Sequence, residues 1–309
     1  MKVAKVLVVL LTIALPLMAF AAIPETGKKA KTIDELAAKY DSSSCKTCHS
    51  EIYEQWDKSL HARPIFGPLE SARTLGTIKN AITNGMMEWP YSGVKKKEDV
   101  QIRHLVTCTK CHLPQLVEAE DSVAQEIVKY MWAYIESGRT DKKAEEKLTK
   151  ININCLICHN RNAMIHKWAD GVVQNDTVYG SKDGSHASPD FPKLKRAPEM
   201  KEPTLCGQCH GLGPQFELDE PTQCATLYGY YLWNYKADGG AETCVECHMK
   251  KSGLGHNLQS YRSEVMRKMA IDLHVNASAY LWRDGTILTP LALVRAEIVN
   301  KAGHAFPDG

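Results

Sequence analysis

The chain is short of aromatic residues, of long basic runs and of extended apolar stretches. Phe, Trp and Tyr make up 7% of its 309 residues, so large side chains alone give it little to build a core from, and a non-protein group could take their place. No basic run is longer than Lys95-Lys96-Lys97, which excludes a nucleic-acid footprint. Beyond Phe20 no stretch approaches the roughly 18 consecutive apolar residues that a membrane helix needs. Charge is balanced as well: the formal net charge is +2, and loss of Lys2 and Lys5 with a leader would bring it to zero. An apolar content of 44% with 24% charged residues is that of one or two globular domains rather than of a disordered chain.

The N-terminus reads as an export signal. Lys2 and Lys5 precede an apolar run from Val6 to Phe20, and Ala19-Phe20-Ala21 supplies a small-residue cleavage site. The expected organisation is a leader over residues 1–21, a main domain over 22–270 and a C-terminal β-element over 271–309. The mature protein is expected in the periplasm or at the cell surface, with no transmembrane span.

Cysteine is abundant and strictly patterned. Ten of the eleven cysteines fall in five copies of Cys-x-x-Cys-His: Cys45/Cys48/His49, Cys108/Cys111/His112, Cys155/Cys158/His159, Cys206/Cys209/His210 and Cys244/Cys247/His248. Two thiols three positions apart lie on one side of a helical turn and can each bond a haem vinyl group. The histidine that follows then reaches the iron as the proximal ligand. Disulfides suit an exported protein but give no reason for a histidine after every second cysteine. Zinc sites mix their ligand spacings, and thioredoxin-type redox pairs rarely come in fives. The expected cofactor is therefore haem c, five copies, covalently attached. Cys224 is left over and reads as a buried thiol.

Seven of the twelve histidines lie outside these motifs, enough to supply a second axial ligand to every iron. Candidates for that distal role are His61, His166, His186, His256, His304 and His104. His186 reads equally well as a surface residue in the polar stretch Asp183-Gly184-Ser185, and His274 reads as a strand residue. Methionine would raise the potential, but no methionine is comparably placed. Histidine on both faces of an iron favours a one-electron relay over substrate binding.

At these residues the chain resembles the multihaem cytochromes related to the tetrahaem cytochrome c of nitrifying bacteria and the octahaem hydroxylamine and tetrathionate reductases. The likeness rests on Cys45–His49 followed by Ile52-Tyr53-x-x-Trp56-x-x-Ser59-x-His61, and on Cys155–His159 followed by His166. It extends to Cys244–His248-Met249 followed by His256, and to Asn300-Lys301-Ala302-Gly303-His304-Ala305-Phe306-Pro307. The resemblance implies that these downstream histidines are distal ligands. In the family the last motif continues into further structure, whereas this sequence stops at Gly309, so the C-terminal element is expected to be truncated or to carry His304 on a short tail. Extracellular cytochromes that polymerise into filaments look similar at this level.

The motifs start 63, 47, 51 and 38 residues apart, so there is no strict repeat. Helical periodicity predicts helices over Ile33–Tyr40, Leu69–Asn84, Ala124–Ser137, Lys142–Asn152 (charged and solvated) and around Leu258–Met269. The aromatic stripe in Pro221–Tyr235 reads as haem packing. Gly171–Pro203 reads as a long loop, and Ala270–Trp282 with Ile287–Asn300 as a hairpin whose paired part starts after Pro290, at Leu291. The expected fold is mainly α and loop-rich, with haems forming much of the core and a small C-terminal β-hairpin. Three functions compete: an electron conduit between redox proteins or other cytochromes, a reductase or oxidase of small nitrogen or sulfur species with one open haem, and a subunit of a self-associating filament.

Overall fold

A computed structural model describes residues 27–65, 75–76, 78–79, 94, 96–161, 174–211, 226–259 and 261–306. The stretch expected to be an export signal, His166 and Cys224 lie outside the described residues. So does most of the helix expected over Leu69–Asn84, of which 75–76 and 78–79 are helical.

The first half is built on α1 (Ile33–Lys39), α2 (Ser50–Asp57), α3 (Ile102–His112), α4 (Asp121–Glu136) and α5 (Lys142–Thr149). In α4 the buried residues are Val123, Ala124, Ile127, Val128, Met131 and Trp132, a spacing of three to four that forms one apolar stripe. Ile33 and Leu36 of α1, Leu113 and Leu116 beyond α3, and Leu148 of α5 close a single core with it. Sequence-local signals set the ends of these helices. Thr32 Oγ1 accepts from the Glu35 N–H at 3.1 Å, and Asp141 Oδ1 from the Ala144 N–H at 3.0 Å. The helix expected to be solvated, α5, turns Ala144 and Leu148 into the core and leaves its charges outside.

The stretch expected to be a loop contains a small sheet. β1 (Thr177–Gly180) pairs in parallel with β3 (Lys193–Arg196), which pairs antiparallel with β2 (Gly184–Ser185). Thr177 and Tyr179 are buried on alternate positions of β1. The β-branched and aromatic run Thr177-Val178-Tyr179 was the signal for it, hidden by the Gly, Ser and Asp around it.

The second half holds short helical pieces: α6 (Pro203–Gly207), α7 (Leu227–Tyr230) running on as a π-helical turn over Tyr231–Lys236, a similar turn over Glu246–Lys251, and α8 (Glu264–Ala270). The chain then forms a hairpin of β4 (Ile271–Asp284) and β5 (Ile287–Asn300), in register from Ile271↔Asn300 to Asp284↔Ile287. Pro290 does not delay its start, since Pro290 pairs with Leu281 inside the ladder. In a two-stranded ribbon every second N–H points away from the partner strand, and a proline fits where no donor is required. Among the described residues no helix is long and apolar enough to cross a membrane.

Candidate haem-binding site

Each Cys-x-x-Cys-His copy is held on a tight helical turn, and the turns converge. The Cys45 thiol lies within hydrogen-bonding reach of Cys155, Cys206 of Cys244, and Cys209 of Cys111. Cys158 sits close enough to Cys206 and Cys209 to perturb both. All five motifs therefore belong to one contiguous cluster. The bond from Cys45 draws the Cys155 thiol down to about 7, while burial pushes Cys158 up to about 11.

Cys48 departs from this pattern. The other nine motif cysteines are half-buried, as thiols against a porphyrin edge should be, whereas Cys48 is exposed. The reason is local: the turn Ser43–Thr47 that carries the first motif contains no buried residue, and its polar Lys46 and Thr47 keep its end in water. Cys45 alone reaches inward, to Cys155. The motif's backbone turn is nevertheless closed, with the Cys48 N–H donating to the Cys45 carbonyl at 3.3 Å and the His49 N–H to the same oxygen at 2.9 Å. A role for Cys48 in attachment thus rests on its place in the motif, not on its surroundings.

Four motif histidines face a histidine from outside the motifs. His49 faces His186 with ring centres 6.2 Å apart, His210 faces His61 at 6.2 Å, His159 faces His256 at 6.3 Å and His248 faces His304 at 6.2 Å. Directly packed aromatic rings also reach such separations, but chance packing would not join one motif histidine to one spare histidine four times over. The spacing has a chemical meaning. Two imidazoles bound through nitrogen to opposite sides of one metal, at ~2 Å each, place their ring centres roughly 6 Å apart. On that geometry the residues fit haem iron.

Backbone carbonyls orient several of these rings. His159 Nδ1 lies 2.8 Å from the Tyr179 carbonyl, His304 Nδ1 2.9 Å from that of Ala305, and His112 Nδ1 3.0 Å from that of Pro64. A carbonyl can only accept, so the proton sits on Nδ1 and Nε2 is left with its lone pair for a metal. His186 Nδ1 has two contacts of opposite demand, the Phe191 carbonyl at 3.0 Å and the Ser188 N–H at 3.3 Å. The shorter contact, to the carbonyl, fixes the same tautomer. Burial lowers the pKa of His61 and of His248 to about 4, and lowers those of His112, His159 and His256. Neutral imidazole is the form that binds metal, so no proton competes at these positions.

The supporting elements explain why the pairs form. Trp56 Nε1 of α2 donates to the Ile153 carbonyl at 2.8 Å, and the Ile153 N–H donates to the His61 carbonyl at 3.0 Å. Those two bonds tie the His61 strap to the segment entering the third motif. Asn160 Nδ2 donates to the Thr177 carbonyl at 2.6 Å, which docks β1 where Tyr179 can orient His159. The His256 N–H donates to Gln55 Oε1 at 2.9 Å. At the adjacent Gly255, φ is +56° and a Cβ would come within 2.1 Å of that oxygen, so a side chain there would strain the backbone and displace Gln55.

An aromatic ladder spans the fourth and fifth motifs. Tyr228, Tyr231 and Tyr235 follow one another with ring centres 6.4 and 5.7 Å apart. Tyr228 packs on Gly207 inside the fourth motif, and Tyr235 on Gly303 beside His304. Tyr231 donates its hydroxyl to the Glu242 carbonyl at 2.9 Å, just before Cys244.

Of the distal candidates, the structure brings His61, His186, His256 and His304 opposite a motif histidine and places His104 otherwise. His104 Nδ1 accepts the Gln101 N–H at 2.9 Å in a reciprocal cap at the start of α3. An accepting Nδ1 puts the ring proton on Nε2, the nitrogen a metal would need, so His104 serves the helix end. His274 stands on the exposed hairpin opposite Glu297. The carbonyls that orient the rings left no trace in the sequence, because any residue type supplies one.

Residues 44–132, which hold the first two motifs and His61, match the family model described as cytochrome c554 and c-prime. The match supports a c-type cytochrome. That family binds haem c covalently and transfers electrons, and the match supports the same chemistry here. No curated protein and no solved structure matches the chain.

Proposed function

We propose that the chain is an exported five-haem c-type cytochrome that relays electrons between closely spaced haems, four of them held between two histidines. The carrying observation is the set of four facing pairs, His49/His186, His210/His61, His159/His256 and His248/His304. Bound haem supplies one-electron iron chemistry. The chain's own residues hold the group on two thioether bonds, fix the ring tautomers through backbone carbonyls, and keep buried imidazoles neutral. Because cysteines of different motifs touch, the five groups would sit near one another, as a relay requires. At the first motif the exposed Cys48 would leave one porphyrin edge toward solvent, a fitting point of entry or exit for electrons. Other redox proteins are the fitting partners, and the leader sequence supports a setting outside the cytoplasm. Intact mass of the mature holoprotein tests the count: a mass increment of five haems is expected, and fewer would overturn it.

A second reading attaches to His112. Among the described residues, none of the four facing pairs includes it, although its ring is oriented like a ligand by Pro64. A vacant face there would admit a small nitrogen or sulfur species and make that site catalytic. Addition of carbon monoxide or cyanide to the holoprotein decides it. A spectral change in one haem of five favours the enzyme, and no change leaves the pure relay.

A further inference from the structure

The four facing pairs are alike in separation and unlike in angle. The ring planes of His49 and His186 lie 10° apart, those of His248 and His304 12°, and those of His159 and His256 30°. His61 and His210 cross at 63°. Separation decides whether one metal fits between two imidazoles, and angle decides how that metal's electrons are arranged. Each imidazole donates π electrons into the iron d orbital that lies perpendicular to its own ring plane. Parallel rings act on the same orbital and raise it well above its partner. The single hole of low-spin ferric iron then sits in the raised orbital, which stabilises the ferric state. Crossed rings act on both orbitals, the splitting is small, and most of that stabilisation is lost. Axial-ligand electronics is one of the levers by which a protein sets a haem potential.

The crossing is built into two separately anchored backbones. His61 sits in the short turn Leu60–Ala62, and its carbonyl accepts the Ile153 N–H at 3.0 Å. Trp56 Nε1 donates to the carbonyl of the same Ile153 at 2.8 Å. His210 closes the fourth motif: its N–H donates to the Cys206 carbonyl at 2.9 Å, and its own carbonyl accepts the Tyr228 N–H at 2.9 Å. One ring is thus tied to the segment entering the third motif and the other to the tyrosine ladder. Burial does not single this pair out, since it lowers the pKa of His61 and of His248 alike to about 4. The angle does. The fourth motif is also where thiols of other motifs meet, with Cys209 reaching Cys111, Cys206 reaching Cys244, and Cys158 close to both.

From the crossed rings we infer that His61/His210 is the bis-histidine site of highest potential, where electrons from the neighbouring sites collect, and that Trp56 is a positioning residue for it, acting through Ile153. The inference rests on the relay reading above. An electron that settles there reduces its ferric iron to ferrous and leaves the iron that gave it ferric, so the exchange balances within the chain and needs no further reactant.

A potentiometric titration of the full holoprotein, followed by low-temperature electron paramagnetic resonance, tests this. Near-parallel imidazoles give rhombic low-spin ferric signals, and crossed ones give a strongly anisotropic signal with a larger maximum g value. One anisotropic and three rhombic signals are expected, with the anisotropic one lost first as the potential is lowered. His61→Ala should abolish the anisotropic signal and spare the rhombic ones, whereas His186→Ala should spare it and remove a rhombic one. Trp56→Phe, which keeps both ligands and removes one bond that holds the His61 strap, should shift the anisotropic signal alone, and it serves where His61→Ala folds poorly. Four rhombic signals would overturn this inference alone, as would an anisotropic signal that survives His61→Ala, that is unmoved by Trp56→Phe or that outlasts the rhombic ones on reduction. Fewer than four low-spin centres would overturn the relay reading together with it.

Discussion

The two halves of the molecule are built by different means. From Ala30 to Ile157 a run of buried apolar side chains closes around α4, whereas beyond residue 200 Tyr231 alone is a buried hydrophobic residue among those described. What the second half has instead is His210, His248, His256 and His304, each facing another histidine, and the tyrosine ladder between two motifs. A side-chain core is self-sufficient, but a region whose convergent groups are imidazoles paired for a metal would depend on the group they bind. On this view haem would supply the buried bulk that the second half's side chains, Tyr231 apart, do not.

The largest effect should come from depriving the second half of its haem. Cys244→Ala with Cys247→Ala removes attachment at the fifth motif. Hydrogen exchange is expected to lose protection over residues 226–306 while α1, α4 and α5 keep theirs; equal loss in both halves would erase the contrast. Next in size is a cut into the side-chain core. Ile127→Ala, in the buried stripe of α4, should cost about 2–5 kcal/mol in denaturant unfolding and leave the number of haems unchanged. A ligand change is more local. His186→Ala removes the partner of His49 alone, and a single new high-spin ferric signal is expected with stability altered little. The smallest change probes the ladder. Gly303→Ala pushes a methyl toward Tyr235, 3.2 Å from its ring, and should shift the midpoint potential of the fifth site with the other four unmoved in a spectroelectrochemical titration.

The halves also differ in how much of them the sequence reveals. The stripe of α4, the caps Thr32 and Asp141, and the hairpin are local features, and local pattern is enough to find them. The five motifs are local as well, because thiols and proximal histidine must lie within one turn. Their surroundings are not: nothing in Cys45-Lys46-Thr47-Cys48-His49 announces that Cys48 stands in solvent while Cys45 turns inward. Facing partners are another matter. His61 meets His210 across 149 positions, so spacing along the chain carries no record of the pair. His186 lies in a polar stretch that resembles plain surface, and only the fold of β2 and β3 aims it at His49. His104 shows the converse: a spare histidine by count, it has a ring nitrogen that accepts the Gln101 N–H at the start of α3. A residue's closeness to a haem motif in sequence is thus weaker evidence than the hydrogen bond that decides its tautomer.

The central claim is that four pairs of facing histidines each hold an iron, and low-temperature electron paramagnetic resonance of the fully oxidised holoprotein tests it most directly. The account predicts four low-spin ferric centres of the bis-imidazole kind, with the spin state of the fifth set at His112. Fewer than four such centres, with high-spin iron in their place, would contradict it.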